Sequence, residues 1–397
     1  MSGLKLPIYF DFQATTPVDK RVFDTMYPYF MEEFGNCHSS SHIFGWKTAD
    51  AVKKAREQVA DLINAKAEEI IFTSGATESN NLAIRGVARA YKSETKNHII
   101  SVKTEHKCVL ETVKSMKKEG FDITLLDVGH DGLISLEELE KSITDKTILV
   151  SVMGVNNEIG VIQPLKEIGE ICKKHGVIFH TDCAQAYGKI PLDVNEMNID
   201  LMSISGHKIY GPKGIGALFI RKGIKIQPLF TGGGQERKIR SGTLAVPLVV
   251  GLGAAAKYAK KDMEKDAKHM KELFDILYEG MSKIKGVYLN GSKEHRWYGN
   301  SNYSFAGIEG ESIMIRCKEF AVSSGSACTS DNLQPSYVIE ALGGDPELAH
   351  SSIRIGFGRP TTKEQVLYFI ERITKEVEYL RNMSPLWDQM IASGKIK

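Results

Sequence analysis

Ser205-Gly206-His207-Lys208-Ile209-Tyr210-Gly211-Pro212-Lys213-Gly214-Ile215-Gly216 is the stretch on which the reading of this chain turns. A mostly apolar run over 199–204 precedes it, and a second over 217–220 follows it. Between these two strand candidates lies a turn with a hydroxyl, an imidazole, two lysines and four glycines. Glycine permits backbone shapes that other residues resist and lets a ligand approach the chain closely. A lysine amine in such a turn can form a Schiff base with a carbonyl cofactor, which makes Lys208 the first candidate. The plain alternative for any single lysine is a solvated surface charge.

The alternation continues outward from this turn. Strands are expected over 70–72, 98–102, 147–152, 177–180 and 200–204, and helices over 48–64, 107–119, 136–142 and 164–175. Val52, Ala55, Val59, Leu62 and Ile63 make one apolar stripe at helical spacing. Strand–helix alternation of this length predicts an α/β chain with a parallel sheet covered on both faces. Ligands of such sheets sit at the carboxyl ends of the strands. Polar residues gather there: Glu105-His106, Asn156-Asn157-Glu158 and Thr181-Asp182. Before the sheet, residues 1–20 read as an extended arm, broken by Asp11-Phe12-Gln13-Ala14-Thr15-Thr16-Pro17, with a helix near 19–30 and a polar loop over 35–42.

After Thr243 the character changes. An Ala/Gly-rich helix over 244–260 and a charged helix over 261–284 are expected, then strands over 286–289, 302–305 and 320–322 in a smaller unit. The last long helix, 362–381, carries Val366, Phe369, Ile370, Ile373, Val377 and Leu380 as a packing face. The tail after Ser384 reads as a surface segment with Trp387 as an exposed anchor.

Composition narrows the function classes. A chain of 397 residues has room for a large core and two domains. Its net charge of +2 gives no pull toward nucleic acid or an anionic membrane. No apolar run approaches the roughly 18 residues of a membrane span. The segment before the first strand, residues 1–7, is too short for a signal or transit peptide, which favours a cytoplasmic location. Six scattered cysteines without a Cys-x-x-Cys pair fit reduced thiols better than zinc or a disulfide framework.

Candidate chemistry follows from Lys208. Pyridoxal phosphate is the usual aldehyde cofactor of lysine, and it needs an acid at its ring nitrogen and donors for its phosphate. Asp182, 26 residues earlier at a strand end, suits the ring nitrogen; an N-cap aspartate is the other reading. Ser74-Gly75-Ala76-Thr77-Glu78 places a glycine turn between a strand and a helix start, either an anion cradle or an ordinary cap. Arg240-Ser241-Gly242-Thr243, after three glycines, is a second candidate anion loop or a plain connector. Cys328, within Ser323-Ser324-Gly325-Ser326-Ala327-Cys328-Thr329-Ser330-Asp331-Asn332, lies in a small polar stretch without a buried pattern, the setting of an exposed reactive thiol. Arg354 offers a planar guanidinium suited to a carboxylate, or to a surface ion pair. The remaining cysteines read mostly as small core residues, Cys37 and Cys183 least securely.

Together, Ser205-Gly206-His207-Lys208, Tyr210-Gly211-Pro212-Lys213-Gly214, Thr73-Ser74-Gly75-Ala76-Thr77-Glu78, Arg240-Ser241-Gly242-Thr243 and Ser324-Gly325-Ser326-Ala327-Cys328 resemble the cysteine desulfurases, in their order. The closest resemblance is to the iron–sulfur-cluster assembly type of these class-V, aminotransferase-like enzymes, and it covers nearly the whole chain. It implies the aspartate-aminotransferase-like fold. A large domain over 16–262 would hold a mostly parallel seven-stranded sheet. A smaller α+β domain over 1–15 and 263–397 would carry a mobile cysteine loop at about 323–333.

The resemblance also implies residue roles. Lys208 would hold pyridoxal 5'-phosphate, with Asp182 at the ring nitrogen, Gln185 at the phenolate oxygen and His106 stacked on the ring as a proton carrier. Ala76, Thr77, Ser205 and His207 would hold the phosphate, joined by Thr243 of the other subunit of a homodimer. Asn157, beside the cofactor, and Arg354 would bind the substrate carboxylate. Cys328 would accept sulfur from L-cysteine as a persulfide and leave L-alanine. No resident metal is implied, although Cys328 could transiently ligate a cluster iron. An iron–sulfur scaffold protein and other sulfur acceptors are the implied partners, with tRNA thiolation as a second outlet and a mitochondrial-type compartment as the alternative location. A selenocysteine lyase or a sulfur-mobilisation desulfurase of the same fold is the rival, and these tend to have a shorter cysteine loop; a non-catalytic scaffold is the rival of a different class. Three positions depart from the family pattern: Cys37 where it has proline, Cys183 where it has a small residue, and Pro360 where it has a larger apolar one.

Overall fold

Seven short strands, most of them fully buried, build the centre of the molecule. The computed structural model describes residues 4–324, 335–394 and 396. In chain order the strands are β1 (Ile8–Tyr9), β2 (Ile70–Thr73), β3 (His98–Val102), β4 (Asp122–Leu126), β5 (Thr147–Ser151), β6 (Ile178–Asp182), β7 (Leu201–Ser205), β8 (Gly216–Ile220), β9 (Val287–Leu289), β10 (Asn300–Phe305), β11 (Phe320–Ala321) and β12 (Ser352–Gly356). The main sheet runs β2-β8-β7-β6-β5-β3-β4. Every pairing from β7 to β4 is parallel, and β8 alone runs antiparallel to both neighbours. Six of these strands are buried along nearly their whole length. Helices must therefore cover both faces, as parallel sheets require. One face packs on Leu82, Ile84, Val87, Val109 and Val113, and the other on Val249, Leu252 and Ala256.

Two small sheets lie outside this one. β12-β10-β9 is antiparallel, and β1 pairs in parallel with β11, which ties the first strand of the chain to a segment some three hundred residues away. The expected arm, main-sheet strands and most helices stand within a residue or two of their predicted bounds.

Four differences have identifiable causes. The two helices expected over 244–284 are one helix, Val246–Ser282, of 37 residues. No glycine or proline interrupts residues 254–279, and Ala259, Met270, Phe274, Leu277 and Met281 continue one buried stripe through the charged half. The helix expected from residue 48 begins earlier, as Ile43–Asp61, because the His42 ring accepts a hydrogen bond from Gly45 N at 3.3 Å and caps it. β4 and β12 were not foreseen: β4 is a partly exposed edge strand opening on an aspartate, and β12 alternates serine and arginine with isoleucine. The tail keeps to the surface as expected, but it is helical and Trp387 is not fully exposed. Pro385–Ala392 is a helix capped by Ser384, and Trp387 is half-buried, with the Arg381 guanidinium 3.8 Å from its ring centroid. No helix among the described residues is long and apolar enough to cross a membrane.

Candidate active site

The carboxyl ends of the parallel strands open into a cleft of about 650 Å³. Ala76, Thr77, His106, Asn157, Asp182, Gln185, Ser205, His207, Lys208 and Arg354 all line it. Thr243 is exposed and does not, and Cys328 lies outside the described residues.

Topology explains the convergence. β7 ends at Ser205 and breaks into one turn, Gly206–Lys208, which swings Lys208 under the cleft. Its Nζ donates to the carbonyls of Gln13 and of Ala14, the latter at 2.8 Å. Gly216, opening β8, allows the neighbouring turn to close: a Cβ there would stand 2.7 Å from Gly75 Cα and 2.4 Å from Ile204 O. Gly75 itself has φ 153°, and a Cβ on it would meet nothing within 4 Å, so open space stands before the start of the helix Ala76–Tyr91. Glycine gives that helix no side-chain cap, so its first N–H groups stay available to an anion. Ser205 and His207 face the same space. Burial, then the charges of Lys208 and Lys213, push the His207 imidazole down to about 4, so it acts as a neutral group.

One strand along, Asp182 closes β6 and is 4% exposed. Asn80 Nδ2 donates to its Oδ2 at 2.7 Å, and Ala184 N to its Oδ1 at 2.9 Å. This carboxylate is a fixed acceptor, suited to a protonated ring nitrogen. His106 follows β3 and caps the helix Lys107–Met116: Cys108 N donates to His106 Nδ1 at 3.2 Å. A backbone N–H can only donate, so Nδ1 is an acceptor and the neutral ring carries its proton on Nε2. Behind it, burial and the nearby Asp182 hold the wholly buried Glu105 carboxyl well above the usual carboxylate range.

The opposite wall comes from β12. Arg354, 3% exposed, donates from Nη1 to Asn157 O at 3.0 Å and pairs through Nη2 with Asp11 at 2.8 Å. Its Nε and Asn157 Oδ1 are buried with no partner among the described residues. Both flanks of residues 325–334 are fixed beside this wall. Arg354 N donates to Ser323 O at 2.7 Å, and Ser336 Oγ donates to Glu158 Oε2 at 2.5 Å.

This donor set fits pyridoxal phosphate: a lysine whose amine reaches the cleft, a pinned buried carboxylate, and an uncapped helix start with serine and histidine opposite. The comparisons agree. The family model described as aminotransferase class-V matches residues 8–369.

The chain belongs to the class-V aminotransferase family.

Within it, the chain is 59% identical over 393 residues to the cysteine desulfurase IscS of Rickettsia bellii, covering 98% of this chain and 96% of that protein. It is 60% identical over 384 residues to the mitochondrial cysteine desulfurase of Eremothecium gossypii, covering 96% of this chain and 78% of that one. Among solved structures, a NifS-like protein superposes with a TM-score of 0.88 at 37% identity, covering 94% of this chain and all of its own. A structure described as SspA in complex with cysteine gives 0.79 at 39% identity, covering 88% and 98%. The resemblance read from the sequence motifs, the class-V fold and the pyridoxal phosphate cofactor are thereby borne out.

Several residues of this class-V site escaped the sequence reading. Cys108 is not a core thiol: it lines the cleft, 3.0 Å from His106 Nδ1 and 3.1 Å from Asn80 Nδ2. Its position two residues after His106, at a helix start, was the available signal. Asn80, Asp11 and Gln13 carried none, since each is a single polar residue whose partner is distant in sequence. Cys183 is fully buried and pushed up to about 12 by that burial, an inert filler beside Asp182.

Proposed function

We propose that this chain is a cysteine desulfurase: L-cysteine and the Cys328 thiol give L-alanine and a Cys328 persulfide, and the sulfur goes on to iron–sulfur cluster assembly. The observation that carries this reading is the meeting of Lys208, Asp182, His106 and Arg354 on one cleft. Bound pyridoxal phosphate supplies a carbonyl for amines and a ring that withdraws electrons. Lys208 would hold the cofactor through its Nζ, and the same amine is placed to carry protons at the substrate. Asp182 keeps the ring nitrogen protonated from its fixed position, and Gln185 donates to the phenolate oxygen. Ala76, Thr77, Ser205 and His207 take the phosphate. His106, whose neutral ring donates from Nε2, exchanges protons at the substrate. Arg354 and Asn157 take the substrate carboxylate, which would satisfy the buried Nε that has no partner among the described residues.

Two anchored flanks support the role of Cys328. Ser323 is bonded to Arg354, and Ser336 to Glu158, the residue after Asn157, so the described residues on either side of the Cys328 segment are held beside the cleft. A homodimer belongs to the same reading. Phe23, Tyr27, Phe30, Met31, Phe34, Ile43, Phe44 and Trp46 form a dense run of exposed apolar residues, of which Met31 is 70% and Phe34 66% exposed. Monomers seldom leave such a surface to water. Thr243, away from its own cleft, would then serve the partner's. We further divide the chain into a large unit, 16–262, and a small one, 1–15 with 263–397, joined through the helix Val246–Ser282. Scaffold and sulfur-acceptor proteins are the partners, in a cytoplasmic setting or, as the alternative, an organellar one.

The test is to incubate the loaded protein with L-cysteine and measure alanine, sulfide and protein-bound persulfide. Alanine without any persulfide in the wild type, or persulfide at wild-type level in Cys328→Ser, sinks the assignment of the acceptor. L-selenocysteine run in parallel separates the selenocysteine lyase reading.

A further inference from the structure

Behind Lys208 lies a polar knot that the roles above leave unused. Lys189, part-buried and four residues after Gln185, donates from Nζ to Gln185 Oε1 at 2.7 Å and to Gln13 Oε1 at 3.3 Å. An ammonium has no acceptor, so the amide atom facing it must be oxygen in both glutamines. The nitrogens then point the other way. Gln13 Nε2 donates to Gly299 O at 2.9 Å, and Gln185 Nε2 donates to Gln13 O at 2.9 Å. An amide nitrogen carries two hydrogens, so the second N–H of Gln185 is left for the cleft that this residue lines.

Two anchors thus fix the Gln185 amide: Gln13 O at the nitrogen end and Lys189 at the oxygen end. Gln13 O is shared with Lys208 Nζ, so it changes its company whenever Lys208 changes partner. Lys189 is the anchor independent of that exchange. A terminal amide torsion is soft, and without Lys189 the enclosed Oε1 would have to seek another donor by turning. Burial, reinforced by the charges of Lys208 and Arg354, holds the Lys189 amine well below its usual range. In either protonation state it keeps at least two N–H groups for the two oxygens.

We propose that Lys189 is a positioning residue, clamping the Gln185 amide so that an N–H faces the cofactor's phenolate oxygen and thereby setting the proton affinity at the Lys208 linkage. This inference rests on the pyridoxal phosphate reading above and deepens it.

The experiment is a pH titration of the visible absorbance of the cofactor-loaded protein, for wild type, Lys189→Met, Lys189→Gln, Gln185→Ala and the double variant Lys189→Met/Gln185→Ala. Losing a donor to the anionic phenolate makes that oxygen hold a shared proton more tightly, so Lys189→Met should raise the midpoint by about one unit. The double variant should move no further than Gln185→Ala alone, since the two act through one amide. Lys189→Gln removes the charge but keeps a donor, and its midpoint should stay near that of the wild type. Should Lys189→Met not fold, Lys189→Ala takes its place with the same expected rise, and an unmoved midpoint there, or an upward shift in Lys189→Gln, refutes the clamp. An unmoved midpoint in Lys189→Met, or a double variant whose shift is the sum of the singles, overturns the proposal while leaving the cofactor reading intact. A wild type that stays colourless with added pyridoxal phosphate overturns both.

Discussion

The two walls of the cleft are finished to different degrees. On the wall made by β6 and β7, the groups that face the cofactor are already bonded. Asp182 has a donor on each oxygen, Gln185 is held at both ends, and the Lys208 amine rests on two carbonyls. On the wall made by β12 and the loop after β5, Arg354 Nε and Asn157 Oδ1 are enclosed without partners among the described residues. Asn80 Oδ1 is the exception on the first wall. Unpaired buried polar atoms are costly, and a fold retains them where a ligand completes them. The first wall is therefore built for a permanent occupant, and the second for one that comes and goes.

That contrast can be broken by substitution. The largest effect is expected for Lys208→Ala, which should abolish both the yellow colour and alanine production; retained colour would mean that the cofactor is held without this lysine. Next, Arg354→Ala should keep the colour but lower kcat/KM for L-cysteine roughly ten- to a hundredfold, chiefly through KM, as the loss of a charged hydrogen-bonding partner predicts. If the colour goes as well, the walls are not separable. Asn80→Ala strips one donor from the buried Asp182 carboxylate and should cost about 1–3 kcal/mol of stability, read from urea unfolding.

A smaller, pH-dependent effect comes from the sheet itself. Burial holds His180 down near 3, against an ordinary value of 6.5, between Ser151 and Ser203. The unfolded chain takes a proton that the folded ring refuses, so folding stability should fall as pH drops from about 6.5 toward 3. His207, displaced in the same sense, adds to the slope. Urea midpoints measured across that range should decline, and less steeply in His180→Gln. Least of all should change in Cys183→Ala, which should retain near-wild-type turnover, because its enclosed thiol touches neither wall's chemistry.

How far the sequence could be read follows from how far apart the partners stand. Lys208, Ser205 and His207 are neighbours in one turn, and Ala76 and Thr77 follow directly from a strand, so local pattern sufficed. Main-sheet strands such as β3 and β5 were legible because burial on both faces writes consecutive apolar residues, Ile99-Ile100 and Ile148-Leu149-Val150, rather than alternation. Asn80 meets Asp182 across 102 residues, and Asp11 meets Arg354 across 343. Nothing in either local pattern marks such a meeting. β12 was missed for a related reason: its short Ser-Ile-Arg-Ile-Gly alternation was read for the arginine it carries, whose partner Asp11 lies far away in sequence. The joined helix shows the opposite error, since a change from alanine to charge along 246–282 was taken for an end when only the exposed face had changed.

That helix has a mechanical consequence. At 1.5 Å per residue its 37 residues make a rod of about 55 Å. Its early part lies on the helices Ile43–Asp61 and Lys20–Met26, and its later part on Lys363–Arg381 and β9. Both halves of the chain are thus indexed to one screw thread. Adding a single residue near Lys261 would turn everything beyond it by about 100° and advance it by about 1.5 Å. β12, and with it Arg354, would leave its place opposite Asp182, so the length of this rod is as strictly specified as any side chain in the cleft.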